Sequence, residues 1–512
     1  MNDNDTQPSD ILPNTSAPHS EHSLSAQESD TLKVNNEKIA PKSRKDNAKV
    51  DNKTEKPSTI EVYSLRLRDG RIAEAYYDRI KEETGLLVFQ DSKVTKERQI
   101  TVGHTAYTAP PPTNSLIKSG FIKLPSDALP FGSEASLMRE VKSLIHDYVQ
   151  VSPDFEDISS YYIPLTWVFD NFQELAYLRV IGDYGSGKSR YLKVMAGICY
   201  RPTNLNGAAS SSAMFRIIDE VKGTIIFDEA DFRSSDASSE MVKILNNGFH
   251  TGMPVLRSEA SGKNMKSYNP TAFDVFGPKI IATRMNFTDD ALESRCCTHA
   301  MEVLTRDDIP ESLENDFEER ALRIRNMLVM FRFLKLSGGI SSDSLPKLDI
   351  EARLRQIFSP LYRIITDPAE REKILNFIKN KQAEVTERRY SSFEGELLQA
   401  ILNVLETEPE PTMKEIAIDY DAKFGGKFPI EPRKVGSTID QIFHLEKKRA
   451  ADGFHLCSNT TNKKKIIALK IKFGIDMPQM NVVNDMNVSP DVSGLNSEQV
   501  MDLFGGGEIA PD

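Results

Sequence analysis

Apolar residues along this chain fall into continuous runs, helical stripes and alternating stretches. The continuous runs Ala176–Ile181 (AYLRVI), Thr224–Phe227 (TIIF) and Pro278–Thr283 (PKIIAT) read as buried strands. Helical spacing marks Glu134–Val149, Tyr161–Phe172, Ser189–Cys199 (through Leu192, Val194, Met195 and Ile198) and Ala213–Val221. It returns at Phe317–Leu336 and Ile350–Ile365, then at Phe393–Leu405, Thr412–Lys423 and Pro432–Phe443. The stretches Val62–Leu67, Gly85–Gln90 and Gln99–Thr105 alternate with turns and predict a small β-rich module. Pro110-Pro-Pro112 reads as a linker, and "HLEKKRAADGFHLC" predicts a hairpin turning at Asp452-Gly453.

This pattern predicts an α/β protein in five parts. Residues 1–59 contain no Phe, Tyr or Trp and are rich in polar residues, so they cannot bury enough apolar surface to offset ordering entropy. They are expected to be a disordered tail. A β-rich module at 60–110 precedes an α/β core with a helical lid at 130–390. A domain of three helices and a hairpin follows at 391–475, and 476–512 reads as a flexible tail.

Composition narrows the function classes. A chain of 512 residues has room for about three domains. Its four cysteines show no C-x-x-C pairing and no metal-ligand spacing, which argues for a reducing compartment without disulfides or a zinc ribbon. The adjacent Cys296-Cys297 pair reads as small core residues rather than a redox site. No apolar run is long enough to span a bilayer and no signal segment opens the chain, so a soluble, cytoplasmic protein without membrane partners is expected. The net charge of −11 gives no global argument for nucleic-acid binding, which must come from local basic clusters.

The chemistry concentrates after the first buried strand. "VIGDYGSGKSRYL" carries Gly182-x-x-x-x-Gly187-Lys188-Ser189, the spacing of a phosphate-binding loop between a strand and a helix. Backbone N–H groups and the helix's positive end point at phosphates there. Gly182, Asp183, Tyr184, Gly185, Ser186, Gly187, Lys188, Ser189 and Arg190 are the candidate nucleotide contacts. Lys188 would reach the β/γ-phosphates, and Ser189 would ligate Mg²⁺. About forty residues on, the strand Thr224–Phe227 ends in Asp228-Glu229. Asp228 would hold the Mg²⁺ shell and Glu229 would polarise the attacking water as general base, against the alternative that the acidic pair only ends a strand. The strand Pro278–Thr283 is followed by Arg284 and Asn286, which with Thr283 are candidate γ-phosphate sensors. In "DALESR", Arg295 is placed to enter a neighbouring subunit's nucleotide site as an arginine finger, or else to form a surface ion pair.

The wording of these motifs resembles the AAA+ ATPases, in the helicase branch that includes MCM proteins. "RVIGDYGSGKSRYLKVMAGICYRP", "SSAMFRIIDEVKGTIIFDEADF" and "FGPKIIATRMNFTDDALESRC" resemble the MCM-like helicase ATPases of plasmids and integrated mobile elements. The resemblance spans about residues 135–475. It implies an AAA+ P-loop ATPase core, ATP and Mg²⁺ as cofactors, and a hexameric ring with ATP sites between subunits. Many relatives carry Asn at the strand tip where this chain has Thr283-Arg284, so the first sensor stays open.

Other segments acquire roles in that context. Val255–Glu259 and Asn264–Tyr268 are expected to pair across Ala260-Ser-Gly-Lys263. The corresponding hairpin of this branch lines the ring pore and grips single-stranded DNA, with Lys263 and Lys266 contacting phosphates. A solvated surface loop is the alternative. Arg353 or Arg355 is a candidate second sensor or a solvated charge. The segment 391–475 resembles a winged-helix domain, in which Arg433, Lys434, Lys447, Lys448 and Arg449 would meet DNA or the same fold would serve protein contacts. Val500-Met-Asp-Leu-Phe504 resembles the motif by which bacterial replication proteins bind the sliding clamp, through Met501, Leu503 and Phe504. A frayed or back-folded tail is equally compatible.

Three functions fit: an ATP-dependent DNA helicase that replicates a mobile element or plasmid, an ATP-switched initiator or helicase loader, and an AAA+ remodeller acting on protein. The hairpin favours the first. The lack of a recognisable N-terminal DNA-binding collar in the sequence favours the second. The third lacks an aromatic-hydrophobic motif at the hairpin tip.

Overall fold

The computed structural model describes residues 58–205, 211–228, 236–261, 267–287 and 289–475. Glu229, Lys263, Lys266, Met501, Leu503, Phe504 and the two predicted tails, apart from Ser58 and Thr59, lie outside them.

Seven short strands open the described chain: β1 (Ser58–Glu61), β2 (Ser64–Arg66), β3 (Ile72–Asp78), β4 (Glu83–Gln90), β5 (Lys93–Glu97), β6 (Gln99–Val102) and β7 (Thr105–Thr108). They form a four-stranded antiparallel meander, β2-β3-β4-β5, and a three-stranded sheet, β1-β7-β6. Gly70 takes the left-handed φ of 89° that the β2–β3 turn requires. Side chains alternate across β3 and β4, so the meander is covered on both faces. Ile72, Tyr76, Leu87 and Phe89 join the main core, while Ala73, Ala75, Leu86 and Val88 pack with Ile117, Ile122 and Leu124.

A short helix, α1 (Ser115–Lys118), leads to α2 (Glu134–Tyr148) and α3 (Pro153–Trp167). Sequence spacing predicts the last of these over Tyr161–Phe172, but it starts at the Ser152 N-cap with Pro153 in its first turn. Ser159, Tyr161, Tyr162, Ile163, Leu165 and Thr166 are all buried, so no single apolar stripe marked its start.

The central layer is a parallel sheet of β8 (Tyr177–Ile181), β9 (Thr203–Leu205), β10 (Ile225–Phe227), β13 (Lys279–Thr283) and β14 (Cys296–Ala300), in the order β14-β8-β13-β10-β9. Its connections include α4 (Lys188–Ile198), α5 (Ser211–Val221), α6 (Asp236–Asn247), the antiparallel pair β11 (Val255–Ser261) and β12 (Ser267–Phe273), and α7 (Asp290–Glu293). The mixed α/β class is therefore as expected. Strands β9 and β14 were not anticipated, because Thr-Asn-Leu and Cys-Cys-Thr-His-Ala carry no long apolar run; pairing with β10 and β8 makes them strands. Burial pushes the thiols of Cys296 and Cys297 up to about 12, far from thiolate chemistry at neutral pH.

Helices α8 (Asn315–Gly338), α9 (Ala352–Ile364) and α10 (Pro368–Tyr390) complete the main core. Then follow α11 (Phe393–Leu405), α12 (Met413–Phe424), α13 (Pro432–Thr438), the hairpin β15 (Lys447–Ala450)–β16 (Gly453–Leu456) and α14 (Thr460–Phe473), with their own apolar cluster around Leu397, Ile401, Ile416, Val435 and Phe473. Thr412 and Glu415 close a capping box on α12. Ala450 pairs with Gly453, so the hairpin turns at Ala451-Asp452, one residue before the predicted position. No helix among the described residues is long and apolar enough to cross a membrane.

One ion cluster joins the meander to the core. Glu74, buried on β3, accepts from Arg332 on α8 at 2.6 Å and from Arg201 at 2.7 Å, and Tyr200 donates to it at 2.9 Å. Arg332 also makes two bonds to Asp170, at 2.9 and 2.8 Å. Burial by itself raises the Glu74 carboxyl, but the Arg332 and Arg201 guanidiniums outweigh it and hold it below the usual glutamate range.

Candidate nucleotide site

The sheet brings the glycine loop and the acidic strand end together. β8 runs into the loop, whose Gly185 and Gly187 take φ values of 75° and 88°, conformations that a side chain would strain. Gly187 caps α4, leaving that helix's first N–H groups for a ligand. Lys188 Nζ folds over the loop and donates to the carbonyls of Gly182 and Asp183 at 2.7 and 2.6 Å. Ser189 Oγ donates to Asp228 Oδ1 at 3.4 Å, so two residues 39 apart in sequence share one spot at the tip of β10. A hydroxyl beside a carboxylate, open to solvent, is a donor set that fits Mg²⁺, which keeps most of its waters.

β13 lies between β8 and β10, so its tip adjoins the same spot. Gly182 N–H donates to Thr283 O at 3.2 Å, and the buried Thr283 Oγ1 has no partner among the described residues. The Arg284 guanidinium stacks 3.9 Å from the centre of the exposed Tyr184 ring, across the loop mouth. Asn286 is turned elsewhere: its Oδ1 accepts from Arg179 Nη2 at 3.2 Å. Arg179 is a buried arginine of β8 that also donates to Glu293 at 2.5 Å and Thr298 at 3.0 Å. Arg190 likewise points away from the phosphate position, donating to Pro310 O at 2.7 Å and to Glu311 O.

Arg295 and Arg353 meet on one ring. Their guanidiniums lie 5.4 and 5.2 Å from the centre of Phe249, just past α6. Arg295 Nη1 donates to Asn246 Oδ1; among the described residues its partner is this neutral amide rather than a carboxylate. Arg355 is committed to the carbonyls of Pro346 and Leu348, at 2.9 and 2.8 Å.

The β11–β12 pair is longer than its sequence pattern suggests. Val255 pairs with Phe273 and Ser261 with Ser267, so Ala260 and Ser261, expected in the turn, lie in the first strand, and the second strand runs on to Phe273. Pro270, opposite Ser258, sits within the second strand and hid its length. Lys279 braces its base, donating to Gly248, Val275 and Gly277 carbonyls at 3.0 Å each, and burial lowers its amine to about 7.

At the other end of the chain, Arg433, Lys434 and Arg449 are exposed, with Lys434 4.2 Å from the Phe393 ring centre. Lys447 is drawn inward instead, donating to Gly436 O at 2.7 Å and pairing with Asp440 at 2.7 Å. Lys448 pairs with Glu410. The exposed Phe454 and the half-buried Lys447 line a groove of about 670 Å³ between α13 and the hairpin.

No family model matches this chain, and no curated protein matches it. Among solved structures, the apo NrS-1 C-terminal region is similar at 11% identity and TM-score 0.33, over 75% of this chain and 95% of that one. The SCCmec type IV Cch active helicase is similar at 11% identity and TM-score 0.37, over 80% of each chain. The JCV helicase follows at 13% identity and TM-score 0.23, over 53% of this chain and 66% of that one. At such low identity and superposition these likenesses decide neither fold nor function.

Sequence spacing missed Thr283 Oγ1 as a buried, unpartnered hydroxyl, the Arg179–Asn286 bond and the Phe249 ring shared by two arginines. The charge inside AYLRVI was the one available signal, since an arginine in a buried strand needs partners from elsewhere.

Proposed function

We propose that this chain is an ATP-driven DNA helicase of MCM-like AAA+ type, supporting replication of a plasmid or mobile element as a hexameric ring. The observation that carries the reading is the glycine loop between β8 and α4 with Ser189 beside Asp228 at the tip of β10. The mobile-element and ring assignments rest on the motif wording of the sequence.

In this reading the loop amides of 182–188 and the α4 N-terminus bind phosphate oxygens, and Lys188 exchanges its two carbonyl partners for them. Ser189 and Asp228 would hold Mg²⁺, which would supply positive charge beside the phosphates when bound. Glu229 takes the proton of the attacking water. Thr283 and Arg284 border the terminal phosphate, and Arg284 leaves the Tyr184 ring to reach it. Asn286 holds Arg179, and through it the end of β13, in place. Arg295 and Arg353, which share the Phe249 ring, serve the neighbouring subunit's nucleotide. The three helices and hairpin of 391–475 act as a winged helix, with Arg433, Lys434 and Arg449 as its phosphate contacts.

Strand displacement on forked DNA with ATP tests the reading. ATPase activity without displacement would favour the initiator or loader instead. Replacing Lys263 and Lys266 together is expected to abolish displacement while leaving basal ATPase near normal, with a shallower salt dependence of single-strand binding. A double variant that unwinds normally would place the hairpin outside the pore.

For the tail, we propose clamp binding through Met501, Leu503 and Phe504. A peptide of residues 495–512 should bind the clamp in the micromolar range, because ordering it on binding costs entropy. Alanines at Leu503 and Phe504 should remove that binding in a titration and leave ATPase intact. A wild-type peptide that fails to bind at high micromolar concentration sinks the assignment.

A further inference from the structure

Among the described residues, Asp228, Thr283 and Arg284 lie on one side of the loop. Asp228 ends β10, and Thr283 and Arg284 end β13; both strands lie to one side of β8, while β14 lies to the other. A nucleoside triphosphate whose terminal phosphate faces Asp228 must leave the loop, with its sugar and base, on the β14 flank.

That flank carries a strap with anchors at both ends. Past β14, Met301 N–H donates to Ile181 O at 2.7 Å, where β8 enters the loop. The Met301 side chain lies against the loop glycines: a Cβ added at Gly182 would come within 3.2 Å of Met301 Cβ, and one at Gly187 within 3.4 Å of its methyl group. At the far end, Arg190 on the first turn of α4 holds the carbonyls of Pro310 and Glu311. Between these anchors Gln150 grips the strap with both ends of its amide. Nε2 donates to Val303 O at 3.4 Å and Thr305 Oγ1 at 3.1 Å, while Oε1 accepts from Thr305 N at 2.9 Å and Arg306 N at 3.0 Å. The backbone so fixed leaves Val303 82% and Leu304 59% exposed.

Two adjacent large aliphatic side chains thus stand exposed on a pinned backbone beside a phosphate loop. We propose that residues 301–311 are the base subsite of the nucleotide site, with Val303 and Leu304 as the apolar platform for a purine ring. The inference rests on the ATP reading above and names which part of the nucleotide this strap selects. A purine's larger flat face buries more apolar area on that platform than a pyrimidine's, which gives the site its base preference. Arg190 then acts as a positioning residue, holding the strap rather than touching phosphate.

The test separates base from phosphate by using inorganic tripolyphosphate as the second probe. In the full chain, Val303→Ser with Leu304→Ser is expected to weaken ATP binding about tenfold and to erase the preference for ATP over UTP, with tripolyphosphate affinity unchanged. Gln150→Ala should shift ATP in the same direction by less, again sparing tripolyphosphate. Unchanged ATP binding in the double variant, or equal weakening of ATP and tripolyphosphate, overturns the subsite alone. A wild-type chain that binds neither probe overturns the nucleotide reading and the subsite with it.

Discussion

Arg295→Ala is expected to lower ATP hydrolysis about 10³-fold while nucleotide binding is retained. The side chain rests on Phe249 and Asn246 of its own subunit, outside the Lys188–Asp228 pocket, so its loss leaves that pocket intact. In the proposed ring, a residue there reaches a phosphate only when a second subunit brings one. Rings assembled from Glu229→Gln and Arg295→Ala chains should therefore regain part of the activity that each chain lacks, because some interfaces pair an intact Glu229 with an intact Arg295. Steady-state hydrolysis on mixed rings, with mixing verified by mass, checks this. Mixed rings as inactive as either parent would mean that Arg295 acts within its own subunit or not at all.

Glu74→Ala is expected to cost about 3–5 kcal/mol of folding stability, because it strands the Arg201 and Arg332 guanidiniums in the interior. No water replaces the carboxylate at a site where Glu74, Arg201 and Arg332 are 2%, 4% and 1% exposed. The same pair sets a direction with pH. Burial raises the Glu74 carboxyl and the two arginines more than reverse that, so its folded pKa lies below the ordinary 4.5. The stability it contributes is present above that value and is lost as pH falls through the lower, folded one. Urea unfolding at neutral pH and at pH 4 reads both effects: a wild-type loss on acidification that the variant shows less of. A variant within 1 kcal/mol of wild type at neutral pH would show that the cluster relaxes and rehydrates.

These two sites differ in how far the chain alone disclosed them. The loop around Lys188 was legible because its chemistry is local: glycines for left-handed turns, a lysine and a serine within one helical turn, and a strand before them. Arg295 was legible as a candidate from its place after a strand, although its rest position on Phe249 was not. Glu74 was invisible. In "IAEAYYD" it looks like a polar position on a half-exposed strand, and its partners stand 127 and 258 residues away. The meander likewise reads as a small module of its own, while Ile72 and Phe89 in fact pack into the main core. Lys447, on the β15–β16 hairpin, reads in the sequence only as part of a basic cluster, while in the fold Asp440 pairs with it.

By itself the sequence determined which segments could become strands and helices, that a glycine loop with Lys188 and Ser189 would sit between one strand and one helix, and that Asp228 would end another strand. Each of these follows from neighbours within a few residues, where spacing and backbone preference act directly. Only the tertiary structure decided the strand order β14-β8-β13-β10-β9, and with it the side of the loop on which Asp228, Thr283 and Arg284 gather. It alone made strands of β9 and β14, set Asn286 to hold Arg179 and buried Glu74 between two arginines. Those outcomes depend on pairing and desolvation between segments far apart in the chain, and such contacts leave no period in the sequence.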